Sequence, residues 1–266
     1  MTLALTAFAA SAGPPSPGPA DFELPAVFSA GELAVTKPML LIVLSGFLIV
    51  GLFAQMARPA AIVPGRMQFA GELVYGFIRN SIARDNIGSK DAQRWVPYLF
   101  TLFLFVLINN FFGVIPVLQF PSMSRIGFVV AIAGITWALY NGAGIARHGL
   151  LGYLKHETVP AGVSGPILIA LVPLEFLSNI VVRPITLTLR LFATMFAGHL
   201  LILLFALGAE YLLLHSENVL AIPAGVLSIL LAVAISFLDM LIMFLQAYVF
   251  TLLSAMYIGE ALADEH

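Results

Sequence analysis

Residues 226–258 read VLSILLAVAISFLDMLIMFLQAYVFTLLSAMYI, 33 residues without a proline or a glycine. A helix rising about 1.5 Å per residue would make this run about 50 Å long, against a bilayer hydrocarbon core of about 30 Å. In the wider window 218–259, Asp239 is the only charged residue. A stretch this apolar stays in lipid or against protein, so it is either two spans with an unmarked break or one steeply inclined helix. The missing breaker favours the inclined helix, although length alone sets no tilt. Residues 166–207 form a second apolar segment of similar length that carries Glu175, Arg183, Arg190 and His199. The polar turn LHSEN (214–218) joins the two segments into an antiparallel helical hairpin.

The rest of the chain agrees with a membrane protein. Its 266 residues are 61% hydrophobic and 10% charged, with a mean hydropathy of +1.02. A soluble domain carries about 25% charged residues, so an ordinary globular fold is excluded. With no cysteine there is no disulfide, thiolate metal site or cysteine nucleophile. Extended basic patches are absent, which excludes nucleic acid as a partner. The expected fold is all-α, with about five transmembrane helices over 38–56, 95–118, 127–145, 166–207 and 219–258. These make one membrane domain, 37–266, behind an extracytoplasmic tail, 1–36, read as a short tail or weak surface helix. The tail lacks the basic start of a signal peptide.

Residues 57–94 hold six of the twelve Lys and Arg: Arg58, Arg66, Arg79, Arg84, Lys90 and Arg94. By the positive-inside rule this segment is cytoplasmic, placing the N-terminus outside and, by span count, the C-terminus inside. Within it, FAGELVYGFIRNSIARD (69–85) alternates polar and apolar residues at helical spacing. That pattern predicts an amphipathic helix on the cytoplasmic membrane surface or against a partner. Arg147, His148, Lys155 and His156 mark a second cytoplasmic connection.

Register gives the hairpin a test. Arg190 with Gln246, and His199 with Asp239, are both symmetric about positions 218–219, which lie at the polar turn. Arg183, Thr186, Arg190 and Thr194 share one helical face; His199, nine residues past Arg190, lies about 180° around and about 13 Å along. Arg190 and His199 therefore serve different cavities. An intramembrane Arg costs about 2.5–3.5 kcal/mol on an insertion scale and cannot deprotonate. It is either a structural cation paired with Glu175 or a backbone carbonyl, or a fixed charge that attracts a mobile carboxylate. His199 taken singly reads as a hydrogen-bonded packing residue, but its register with Asp239 favours a proton-relay pair. Glu175 sits either at the mouth of an inward aqueous path or at the interface, snorkelling to water. Asn109 and Asn110 line a polar pocket or bond neighbouring helices. No metal site and no nucleotide motif is present, so no cofactor is expected.

The runs RPITLTLRLFATMFAGHLL (183–201) and FLQAYVFTLLSAMYI (244–258), with NNFFGVIP (109–116), resemble subunit a of the F-type rotary ATP synthases. The resemblance extends from about Lys37 to the C-terminus. It implies that Arg190 is the stator arginine, Gln246 its neighbouring glutamine, and His199 and Asp239 groups of the outer half-channel. Asn110 matches an asparagine of an earlier span, and Glu175 falls where the family carries an acid of the inner path. Thr194 departs from the family's usual Asn and takes no role from it. The implied function is a proton-conducting stator without a catalytic site of its own, in a bacterial plasma membrane. Its implied partners are a rotor ring of c subunits, peripheral-stalk b subunits, the rest of the synthase and membrane lipid. A secondary transporter with a substrate-binding Arg is the leading alternative, but no internal repeat or broken late helix supports it. A purely structural scaffold would have little use for four intramembrane ionisable groups.

Overall fold

A computed structural model describes residues 17–18, 26–30, 33–56, 65–115, 118, 120–159, 167–215 and 221–263. Most of the N-terminal tail, Arg58 and most of the LHSEN turn lie outside these residues. Of the tail, Ala26–Ala30 (β1) and Leu33–Thr36 (β2) pair as an antiparallel hairpin, where a tail or weak helix was expected. The remainder is helical. Helix α1 spans Lys37–Met56. Helix α2, Arg66–Phe77, runs through a π-helical stretch, Ile78–Arg84, into the short α3, Asp85–Ile87. Next come α4, Ala92–Phe111; a 3₁₀ turn, Ser122–Ser124; α5, Ile126–His148; and α6, Leu150–Thr158. The hairpin comprises α7, Ile167–Phe176, a π-helical stretch Leu177–Val182, α8, Arg183–Leu214, and α9, Ala221–Leu262.

Among the described residues, five helical rods are long and apolar enough to cross a membrane: Lys37–Gln55, Ala92–Phe111, Ile126–His148, Leu171–Leu214 and Ala221–Leu262. The fold is thus the expected all-α membrane protein, with different boundaries. Helix α4 stops at Phe111 rather than Leu118, because Gly113 sits in a turn that closes back onto Asn110 and Pro121. The fourth rod continues seven residues past Leu207 to Leu214, and α9 begins at Ala221 rather than 219 and runs on past 258 to Leu262, taking in Pro223 and Gly225 in its first turns. Proline is tolerated there because the first turn's N–H groups have no intrahelical acceptor. At 44 and 42 residues these rods are about 60–65 Å long, twice the hydrocarbon thickness.

The core lies where α4, α8 and α9 meet. Leu99, Phe103 and Val106 of α4 pack with Leu187, Leu191 and Met195 of α8 and Met243, Ala247 and Phe250 of α9. The amphipathic segment joins this core rather than lying free on lipid: Ile78, Ile82 and Ala83 are fully buried. Its end approaches α9 so closely that a side chain on Gly259 would strike the Asn86 backbone. In the hairpin, Ser228 Oγ donates to the Phe205 carbonyl at 2.8 Å, and Gly198 abuts the Asp239 carboxylate. Both contacts are symmetric about positions 216–219, the register that the polar residues require.

Candidate functional site

The polar residues in the hairpin fall into two groups on opposite faces of α8. On one face Arg183 and Arg190 stand two turns, about 10 Å, apart. Arg190 is exposed and meets no carboxylate among the described residues, whereas Arg183 Nη1 lies 2.9 Å from Glu260 and 3.8 Å from Glu157. The structurally paired arginine is therefore Arg183, not Arg190. Thr194 turns its hydroxyl back onto its own helix, donating to the carbonyls of Arg190 at 2.9 Å and Leu191 at 3.1 Å. The one O–H of Thr194 is thus spent on its own helix, and only its oxygen's lone pairs remain to accept from a neighbour.

On the other face, half-buried His199 sets its ring edge-on to Phe120 at 6.4 Å. Asp239, 3% exposed, packs on Gly198, the neighbour of His199 in the chain. A side chain at position 198 would displace the carboxylate, so the close approach depends on glycine. One turn further along α9, the Asn110 amide donates to the Met243 carbonyl at 3.4 Å. Another turn on comes Gln246, 6% exposed, with no hydrogen bond to Arg190. Asp239 Oδ1, Asn110 Oδ1 and Gln246 Nε2 are all buried without a hydrogen-bond partner. Three orphaned polar atoms, two of them seven positions apart on α9 and one facing it from α4, mark a place for ordered water, since native proteins leave few such groups unsatisfied.

Asn109 does something different. Its amide donates to Ser45 Oγ at 2.8 Å and to the Phe105 carbonyl at 2.8 Å, tying α4 to α1 as a helix–helix bond. Glu175 is half-buried and accepts from Asn179 Nδ2 at 3.4 Å. Two groups escaped the sequence reading. Ser122 Oγ, in the turn PSMSR, is fully buried and orphaned where the 3₁₀ turn packs on α8. Glu157, in the stretch LKHET, is buried only by the return of α6 against α5 and α7. No side-chain pattern within the segment signals that return. Among the described residues no cluster of three His, Asp or Glu is placed to hold a metal.

Comparison with known proteins gives the family. The family described as ATP synthase A chain matches residues 39–259. The chain is 56% identical to the ATP synthase subunit a of a Nocardioides species over 260 residues, covering 94% of each chain. It is 49% identical to that of Paenarthrobacter aurescens over 252 residues, again 94% of each. Against that of Rhodococcus erythropolis it is 38% identical over 267 residues, 100% of this chain and 96% of the relative. With the match running from the first long helix to the last, through Arg190 and the orphaned polar row beside Asp239, the chain belongs to the ATP synthase A chain family.

Proposed function

We propose that this membrane-embedded, non-catalytic subunit conducts protons as the stator of a rotary ATP synthase through two offset aqueous half-channels. The observation that carries the reading is Arg190, an exposed guanidinium on an apolar helix with no anion from its own chain among the described residues. A charge that cannot be neutralised, left unpaired within lipid, needs a counter-ion supplied by another molecule. Carboxylates borne by a rotor ring of c subunits supply one.

The remaining polar groups fit the two paths. From outside, a proton passes His199, Asp239 and the water row shared with Asn110 and Gln246, then neutralises a ring carboxylate. The neutral site faces lipid and the ring turns. On the inner side the proton leaves near Glu175, and the bare carboxylate is drawn to Arg190, which bars direct flow between the paths. A potential of about 200 mV supplies about 4.6 kcal/mol per proton. The reading places the chain in a bacterial plasma membrane, N-terminus outside and C-terminus cytoplasmic. Peripheral-stalk b subunits and the rest of the synthase hold it against the ring's torque.

Arg190→Ala in the reconstituted synthase is expected to abolish proton-driven ATP synthesis and to open passive proton leak, measured by a pH-sensitive dye in vesicles. Wild-type ATP-driven pumping by that variant would overturn the assignment.

A further inference from the structure

On the same face as Arg190, two turns away along α8, a polar cluster lies between four elements. Arg183 Nη1 is shared by the carboxylates of Glu260, 2.9 Å away, and Glu157, 3.8 Å away, and its guanidinium stacks over the Tyr257 ring at 5.0 Å. The two acids differ in surroundings. The Glu260 side chain is 48% exposed and that of Glu157 only 4%. The buried acid thus has the longer, weaker contact with the cation.

Glu157 is held on all sides. Tyr153, one turn earlier, is buried against Gly144 of α5, where no larger residue fits, and its hydroxyl donates to Asn141 Oδ1 at 3.0 Å. Asn179, in the π-helical stretch, donates to the Glu157 carbonyl at 2.8 Å and to Glu175 at 3.4 Å. A buried, incompletely neutralised carboxyl therefore shares Arg183, on the Arg190 face, with an exposed acid.

We propose that Glu157 is a proton-transfer residue of the inner path, receiving protons from the ring side and passing them to bulk water past Glu260. This rests on the stator reading above and extends it. The ring acid's O–H bond breaks, the proton crosses water along the Arg190–Arg183 face and binds a Glu157 carboxylate oxygen. Glu157 then releases it to water at Glu260, and each carboxylate returns to its starting charge. Burial raises the Glu157 pKa from the ordinary carboxylate range, opposed by Arg183 and reinforced by Glu260, which brings it towards the pH at which transfer is efficient. The other groups facing it are His156 and Tyr153 on its own helix, Tyr140 of α5, and Arg183 with Glu260 from α8 and α9.

The test uses the whole synthase in vesicles, with pH varied independently on the ATPase side. Glu157→Gln keeps the shape and loses the proton. It is expected to cut proton-coupled turnover about tenfold and to flatten its dependence on ATPase-side pH, while Glu157→Asp keeps that dependence. Passive leak stays at the wild-type level, which separates this result from a failure at Arg190. Wild-type rate and pH profile in Glu157→Gln overturn the inference; if Arg190→Ala still uncouples, the stator reading survives. Should Glu157→Gln not assemble, Thr186→Cys decides, because the chain has no other cysteine and Thr186 lies exposed between Arg183 and Arg190. Its labelling by a membrane-impermeant thiol reagent from the ATPase side supports the path, and protection from that side overturns it.

Discussion

Single atoms decide how the two faces of α8 differ. Gly198 is the clearest case, because its missing side chain is the space that the Asp239 carboxylate fills. Gly198→Ala is expected to push that carboxylate out of place and lower proton-driven ATP synthesis about tenfold, with the amount of assembled complex unchanged on native gels. Glu157 makes a prediction of opposite character, about pH. Burial raises its folded-state pKa above the unfolded value, so the folded protein binds the proton more tightly. Below the unfolded pKa both states are protonated and the residue is neutral to stability. As pH rises from the unfolded value of about 4.5 through the raised folded value, ionisation destabilises the folded state. Wild-type thermal stability in detergent should therefore fall over that interval relative to Glu157→Gln, and should run parallel to it at higher pH. Thr194 lies at the other extreme, with its hydroxyl engaged by its own helix.

At the scale of elements, the π-helical stretch Leu177–Val182 explains how one rod carries both Glu175 and Arg183 in useful directions. A π turn holds one residue more than an α turn, so it rotates α7 against α8 about their common axis, and it loosens carbonyls from the α-helical ladder. Helix α5 supplies the missing donors: Trp137 Nε1 donates to the Ile180 carbonyl at 2.9 Å, and the Tyr140 hydroxyl reaches the Asn179 carbonyl at 3.5 Å. Trp137→Phe should leave the Ile180 carbonyl without its donor and cost about 1–3 kcal/mol, seen as a lower thermal midpoint of the detergent-solubilised protein. The same elements show why boundaries escape sequence reading. Residues 171–214 are predominantly apolar throughout, so nothing in their pattern marks a π turn; the bulge is visible only once Asn179 and Ile180 have found partners on another helix.

Across the molecule, burial is uneven in a way that fits an incomplete assembly. Of the windows that qualify as spans, the one in α4 is 44% buried inside the chain, whereas those in the two hairpin rods are 11% buried. Over those windows the hairpin meets its own chain on little of its surface, which leaves the rest for lipid and, on the proposed function, a ring. Ala197 is exposed and within about 20° of Arg190 around α8, so on the proposed function it faces the ring. Ala197→Phe should keep the helix and the assembly but hold the ring off. Rotation-coupled ATP synthesis in vesicles is then expected to fall about tenfold; an unchanged rate would place that face in lipid instead.

The sequence alone determined the membrane class, the number of long apolar rods, the hairpin and its register, because each is set by unbroken apolar length and by polar residues spaced about one turn. It also singled out Arg190, since a cation with no means of discharging in lipid is conspicuous in any context. The tertiary structure decided what depends on which distant segments meet. It paired Arg183 rather than Arg190, set Asn109 to bracing α1 and Asn110 to facing α9, and brought Glu157 from an unremarkable polar stretch to a buried place against α5 and α7, beside Arg183. Burial and partnership are properties of contacts between residues far apart in the chain, and no local spacing encodes them.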